Sequence, residues 1–449
     1  MTVHQPMKSR LLLFAVSLLY SIFSYSTLAA SREAQTKPNS NELEDTFRAL
    51  QKRLETLSNE TGTNELLRLH FRSVKAQIEA EWARSTLREP SELSETYELI
   101  STIQAGFQSE ASEWDAYLDG RRSLLMSYIS AYDQSVQYYF LGLPKDWDPA
   151  KTYPLFLELH GAGNPHPLSR IAKKLGSTPQ AEDSQGYTVP KVYAEIDRSG
   201  YWVYPFCRGN MGYREIAEVD VLETYDHIHK LFSIDPNRRY LYGFSMGGGG
   251  TWRIAQRTPD RWAAACSFAP SVHRDENTRY LVSNLIQVPF KIMTGSEDFL
   301  LPDYHKILGK LEAAGVPKPD ARIIPGLPHH YLMDLQAEGV EWLKQFTRKR
   351  PDAFVFTTDD DLPESSRTKR TSVNECWGVT LKRIHPEARF ARAKVSRENQ
   401  VLTIETTGAS SISLDFSEPD GLGMKGYLTI VLNGITVYQG DSKPLSFDI

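Results

Sequence analysis

Cysteine is scarce. Three in 449 residues, Cys207, Cys266 and Cys376, leave room for one bridge at most and exclude a disulfide framework. Neither cysteine nor histidine recurs at zinc-ligand spacing, and His227 and His229 would leave a helix on different faces, so no metal site is expected. Charge of one sign is missing too. Lys and Arg number 51 against 56 Asp and Glu, a net charge of −5, without the basic stripe that marks a nucleic-acid partner. Hydrophobic residues at 41% and charged residues at 24% are ordinary for a globular chain. Beyond the first thirty residues no apolar run is long enough to cross a bilayer, so no integral span is expected there.

The exception is Leu11–Phe23. It follows Lys8 and Arg10, is short for a span, is interrupted by Ser17 and Ser21, and leads to the small pair Ala29–Ala30. That layout predicts a signal peptide over residues 1–30, cleaved near Ala29 or Ala30, and a secreted or periplasmic product.

The remaining chain changes texture twice. Over residues 39–130, Leu43, Phe47, Leu50, Leu54 and Leu57 recur at helical spacing, as do Leu67, Phe71, Val74, Ile78 and Trp82. These stripes predict amphipathic helices docked on the next domain. Over residues 135–349, short apolar runs such as "YPLFLELHG", "YWVYPFC", "RRYLYGFS", "AAACSFAP" and "VPFKIMTG" alternate with helical stretches. Near-continuous apolar strands between helices predict a doubly wound, mostly parallel α/β sheet. Over residues 352–449 helices give way to strands parted by turn residues, with Asn433–Gly434 a strong hairpin signal. This reads as an antiparallel, sandwich-like β-domain. The acidic tract Asp359–Asp361 reads as a solvated loop, because calcium loops space their ligands apart.

The chemistry centres on "RRYLYGFSMGGGGTWRIA". Gly243 and Gly247 flank Ser245 where a strand run meets a helix run. A serine on such a turn projects its hydroxyl beyond the sheet, and its flanks must be small because strand and helix pass close together. Serine needs a base held by a third group, and in this layout acid and histidine follow it on later loops. "TGSEDFLLPDY" supplies Asp298, with Glu297 and Asp303 as competitors; "PGLPHH" supplies His329, with His330 in reserve. An oxyanion would find the backbone N–H of Met246, next to the serine, and one from "LHGAGN", at Ala162 or Gly161. His160 precedes the serine, the wrong chain order for the base, and reads as structural. Around the mouth, Arg208, Asn210 and Tyr213 in "CRGNMGY" are candidate pocket residues, with Tyr201 and Trp202 close by. Arg208 either binds a carboxylate or braces its loop. Trp252 reads as core.

Taken together, "YYFLGLPKDWDPAKTYPLFLELHGAG", "GFSMGGGGTW", "TGSED" and "PGLPHH" resemble α/β-hydrolases of the polyhydroxybutyrate-depolymerase-like and feruloyl-esterase-like group, which overlaps the prolyl-oligopeptidase catalytic domain. The resemblance runs from Gln137 to Phe346. It implies a Ser245–Asp298–His329 triad, no metal or cofactor, and an exported serine esterase whose ester substrate could be an acylated polysaccharide. A peptidase is the alternative it implies, although the gating β-propeller of prolyl oligopeptidases is absent. A third reading is an inert hydrolase fold that grips a glycan through the β-domain.

Overall fold

The helical stripes bury what their spacing predicts. The computed structural model describes residues 40–60, 64–85, 90–107, 124–145, 147–175, 199–272, 281–358, 373–383 and 390–449. The expected signal peptide and the Asp359–Asp361 tract lie outside them. Helices α1 (Ser40–Glu60), α2 (Glu65–Ser85) and α3 (Pro90–Gly106) pack together, with Phe47 stacked on Trp82 at 4.5 Å. Asn64 caps α2, its Oδ1 accepting the N–H groups of Leu66 and Leu67.

Helical periodicity alone carries this region to residue 130. Leu124–Ile129 instead form strand β1, because "LLMSYI" pairs in register with β2 (Val136–Gly142) across a short turn. Six further strands complete one sheet: β3 (Tyr153–Leu159), β4 (Tyr201–Pro205), β5 (Ile234–Phe244), β6 (Ala264–Phe268), β7 (Phe290–Gly295) and β8 (Asp320–Ile324). The spatial order is β1-β2-β4-β3-β5-β6-β7-β8. Pairs β1·β2 and β2·β4 are antiparallel, and every other neighbouring pair is parallel.

Five helices follow strands of this sheet: α4 (Pro167–Leu175), α5 (Ile216–Leu231), α6 (Met246–Arg257), α7 (Leu301–Ala313) and α8 (Met333–Leu343). They cover both faces. Gly247 of α6 lies on the Leu159 carbonyl, while Gly339 of α8 lies against Tyr242, Cys266 and Met293, on the other side. This is an α/β-hydrolase sheet, doubly wound. Its core is continuous with that of α1–α3.

The helical region also closes the sheet's open edge. Outward N–H groups of β1 would be free to recruit another strand. Instead Leu125 N–H donates to His70 Nδ1 at 2.8 Å and Ser127 N–H to Ser73 Oγ at 2.9 Å. His70 is wholly buried, and burial holds its pKa down, to about 4.

The C-terminal region has its own core between two sheets, β10-β11-β14-β17 and β16-β15-β13-β12-β9. The strands are β9 (Ala353–Thr358), β10 (Glu375–Cys376), β11 (Val379–Arg383), β12 (Ala391–Glu398), β13 (Val401–Thr407), β14 (Ala409–Leu414), β15 (Tyr427–Leu432), β16 (Ile435–Asp441) and β17 (Leu445–Asp448). Asn433 and Gly434 turn between β15 and β16 with φ of 49° and 82°, as a primed hairpin turn requires. The sandwich is not wholly antiparallel. β13 and β15 pair in parallel, because the chain leaves for β14 in the other sheet and returns in the same direction.

A charged contact and an uncharged one join the sandwich to the hydrolase region. Asp420 accepts from Arg239 Nη2 at 2.7 Å and Arg348 Nη2 at 2.6 Å, while the Arg348 guanidinium lies 4.1 Å over Trp377. Asn284 exchanges two hydrogen bonds with the Thr357 backbone.

Candidate active site

Ser245 sits between the end of β5 and the start of α6 with φ 58° and ψ −119°. A side chain at positive φ costs energy and persists only where surroundings enforce it. Here Ser245 N–H donates to Phe268 O at 2.9 Å, and its carbonyl accepts from Gly249 and Ser271 at 3.0 and 3.1 Å. The glycines answer to close packing. A Cβ on Gly247 would fall inside the Leu159 carbonyl, and one on Gly249 inside the Ser271 carbonyl. Gly248–Gly250 thus bring α6 against neighbouring protein segments.

The three segments named from the sequence meet here. His329 Nε2 lies 2.9 Å from Ser245 Oγ, and its Nδ1 lies 3.0 and 2.9 Å from the two oxygens of Asp298. A carboxylate only accepts, so Nδ1 carries the proton and Nε2 presents its lone pair to the serine hydroxyl. Asp298 is 5% exposed and also accepts the Leu300 N–H at 2.8 Å. Its competitors stand elsewhere: Asp303 accepts from Val272 N–H and Lys306, and Glu297 faces solvent. His330 follows on the same loop, but His329 is the residue that bridges serine and acid.

The loop after β3 passes beside the serine, a Cβ on Gly161 coming 3.5 Å from Ser245 Cβ. His160 holds that loop. Arg170 Nη2 donates to His160 Nδ1 at 2.7 Å, which leaves the proton on Nε2 to donate to Phe206 O at 2.9 Å. Burial holds this imidazole down, to about 4, so it stays neutral. Ala162 is exposed on the same loop. Met246 opens α6, where the first N–H groups have no intrahelical partner.

The pocket candidates divide. Asn210 pins the loop, accepting Gly163 N–H at 3.0 Å and donating to Gly163 O at 2.6 Å. Tyr213 is 1% exposed and donates to His160 O at 2.8 Å, so it is a buried support and does not line a pocket. Arg208 is a brace. Its guanidinium is gripped by Asp133 (2.6 and 3.1 Å) and Asp220 (2.7 and 3.1 Å), which removes it as a free carboxylate receptor. Tyr201, Trp202 and Trp252 are all core residues.

Sequence reading passes over the aromatic pair that holds the imidazole. Phe244 stacks on His329 at 4.9 Å and Phe299 covers it at 4.5 Å. Each adjoins a motif residue, Ser245 or Asp298, which is the one signal that could have marked them. Among the described residues no group of three or more side chains could hold a metal ion, and no helix is long and apolar enough to cross a membrane.

No family model and no curated protein sequence matches the chain. Solved structures do. The chain is similar to a thermostable esterase at 22% identity and a TM-score of 0.40, covering 50% of this chain and 63% of that one. It is similar to a ferulic acid esterase at 20% identity and 0.36, covering 51% and 97%. It is also similar to the dipeptidyl peptidase 4 of Porphyromonas gingivalis at 16% and 0.38, covering 50% and 36%. Likenesses this distant, over half the chain, do not distinguish among activities.

Proposed function

We propose that this protein is an exported serine hydrolase that cleaves carboxylic esters through an acyl-enzyme. The observation that carries the reading is the series Ser245 Oγ, His329 Nε2 and Nδ1, Asp298, each link 2.9–3.0 Å. In this reading His329 takes the serine proton as Oγ adds to the ester carbonyl. The imidazolium, held by Asp298, then returns that proton to the departing alcohol. Water repeats the exchange, releases the acid and restores the serine. Met246 N–H with that of Gly161 or Ala162 would hold the oxyanion, each donor contributing about 3–4 kcal/mol in the transition state.

Phe299, 71% exposed beside the His329 ring, suits an apolar acyl group. A cleft of about 430 Å³ between α2, α3 and the segment Asn164–Pro167 is lined by Glu81, Arg84, Thr96 and His166. No triad residue lines it, and the acylated polysaccharide rests on the sequence resemblance. Export rests on the residues 1–30 pattern.

Ser245→Ala should lower kcat on p-nitrophenyl acetate by about four to six orders of magnitude. Retained turnover would reject the assignment. Hydrolysis of an ester but not its matched anilide supports an esterase over a peptidase.

A further inference from the structure

A lone carboxylate stands in the apolar strand "YPLFLEL". Glu158, two residues before His160, is 6% exposed. Its Oε1 accepts the Tyr331 hydroxyl at 3.2 Å and its Oε2 the Gln336 amide at 2.7 Å. Tyr331 belongs to the loop that carries His329, and Gln336 to α8 immediately after it. We propose that Glu158 is a positioning residue for the His329 loop, tying it to the strand that delivers the oxyanion loop. The proposal rests on the triad reading given above.

The coupling runs through one ring. Tyr331 meets Phe244 edge-on at 5.3 Å, and the same Phe244 stacks on His329 at 4.9 Å. A shift of the tyrosine therefore moves the ring on which the imidazole rests. Other ties of this loop include Gly326 N–H to Ser296 Oγ at 2.8 Å, Glu297 N–H to Leu327 O at 3.0 Å and His330 N–H to Pro328 O at 2.8 Å. Glu158 holds the side beyond His329.

Glu158 is also poised to titrate. Burial pushes it up to about 8, with Lys174 and its two hydrogen-bond donors pulling the other way. From α4, Lys174 is pushed down by burial to about 8, favoured as a cation by Glu158 and opposed by Arg170 and Lys173. Its ammonium lies 4.6 Å over the Tyr204 ring and 5.0 Å over Phe140. Tyr331 faces the carboxylate from the histidine loop, Tyr213 from the loop before α5, and β5 sets Tyr242 beside it in register; α8 presents only the uncharged Gln336. Ionised Glu158 accepts from both partners. Protonation turns one oxygen into a donor and rearranges one tie.

The test compares steady-state kinetics of the full chain with those of Glu158→Gln, Tyr331→Phe and the double variant, across pH 6 to 9. Each single variant should lower kcat about tenfold, within the roughly hundredfold that ångström-scale misplacement costs, with KM nearly unchanged. Glu158→Gln should also abolish a rise in kcat near pH 8, and the double variant should be no worse than the weaker single one. Should Glu158→Gln not fold, Tyr331→Phe removes one hydroxyl and carries the test. Wild-type kcat and pH profile in either folded variant, in an enzyme that Ser245→Ala inactivates, overturns this proposal alone. Retained turnover in Ser245→Ala overturns the triad reading and this proposal with it.

Discussion

The regions before and after the hydrolase sheet are joined to it by opposite means. Helices α1–α3 share its hydrophobic core and supply side chains to the backbone of its edge strand. The sandwich keeps a separate core and meets the hydrolase region through polar contacts, among them two arginines drawn onto Asp420 and the Asn284–Thr357 bonds. Burial of apolar surface contributes in proportion to area. A buried charge contact is different: removing one partner leaves the others uncompensated. The helices are thus part of the hydrolase unit, whereas the sandwich is an appended unit held by a specific latch.

Deletion should expose the contrast most strongly. Without residues 40–107, β1 loses its edge cover and the shared core opens, so the remainder should be insoluble or lack near-ultraviolet circular dichroism. A chain ending at residue 351 should stay soluble and keep its kcat on p-nitrophenyl acetate within about fivefold, since none of the triad ties involves the sandwich. Equal tolerance of both deletions would break the distinction.

The latch itself comes next in size. Asp420→Ala leaves Arg239 and Arg348, both nearly buried, facing each other; because Asp420 is itself 57% exposed, the cost should be about 3 kcal/mol, the low end for a buried pair. Denaturant unfolding would read this as a lower midpoint. A loss under about 1 kcal/mol would mean that solvent already screens the latch.

Acid should loosen the helical junction, with the smallest effect. The unfolded chain protonates His70 below about pH 6.5, but burial delays this in the folded protein to about 4. Stability from this junction is therefore lost as pH falls through that window, up to about 3 kcal/mol in all. At the latch, burial pushes Asp420 up but Arg239 and Arg348 outweigh it, holding the carboxyl well below the usual range. Its contribution survives until pH falls below the ordinary aspartate range. Hydrogen exchange, corrected for its intrinsic pH dependence, should quicken in α2 and β1 as pH drops from 6.5 to 4; unchanged protection there would contradict the part given to His70.

Most of the sheet was legible because its strands are continuous apolar runs between helices. Two kinds of element were not. β12, "ARAKVSRE", alternates buried Ala391, Ala393 and Val395 with charged residues, but alanine is a weak apolar signal and the charges mask the period. β1 lies behind a helical stripe, and its place depends on pairing with β2 and on caps from α2, which no local pattern reports. At the site, Ser245, Asp298 and His329 stood out because their spacing follows strand ends. Supports such as Arg170, Phe244 and Tyr331 act across distant segments, and Arg208 could be sorted from the pocket only once its two carboxylate partners were in place. Glu158 left a visible trace, a charge in an apolar strand, with its partners 173 and 178 residues away.

The central claim is that one strained serine is activated by His329. Intact-mass analysis after treatment with a fluorophosphonate tests it most directly. One adduct should form per chain, mapping to Ser245, absent in Ser245→Ala and slowed by orders of magnitude in His329→Ala. An unlabelled wild-type chain, or an adduct that persists in Ser245→Ala, would contradict the account.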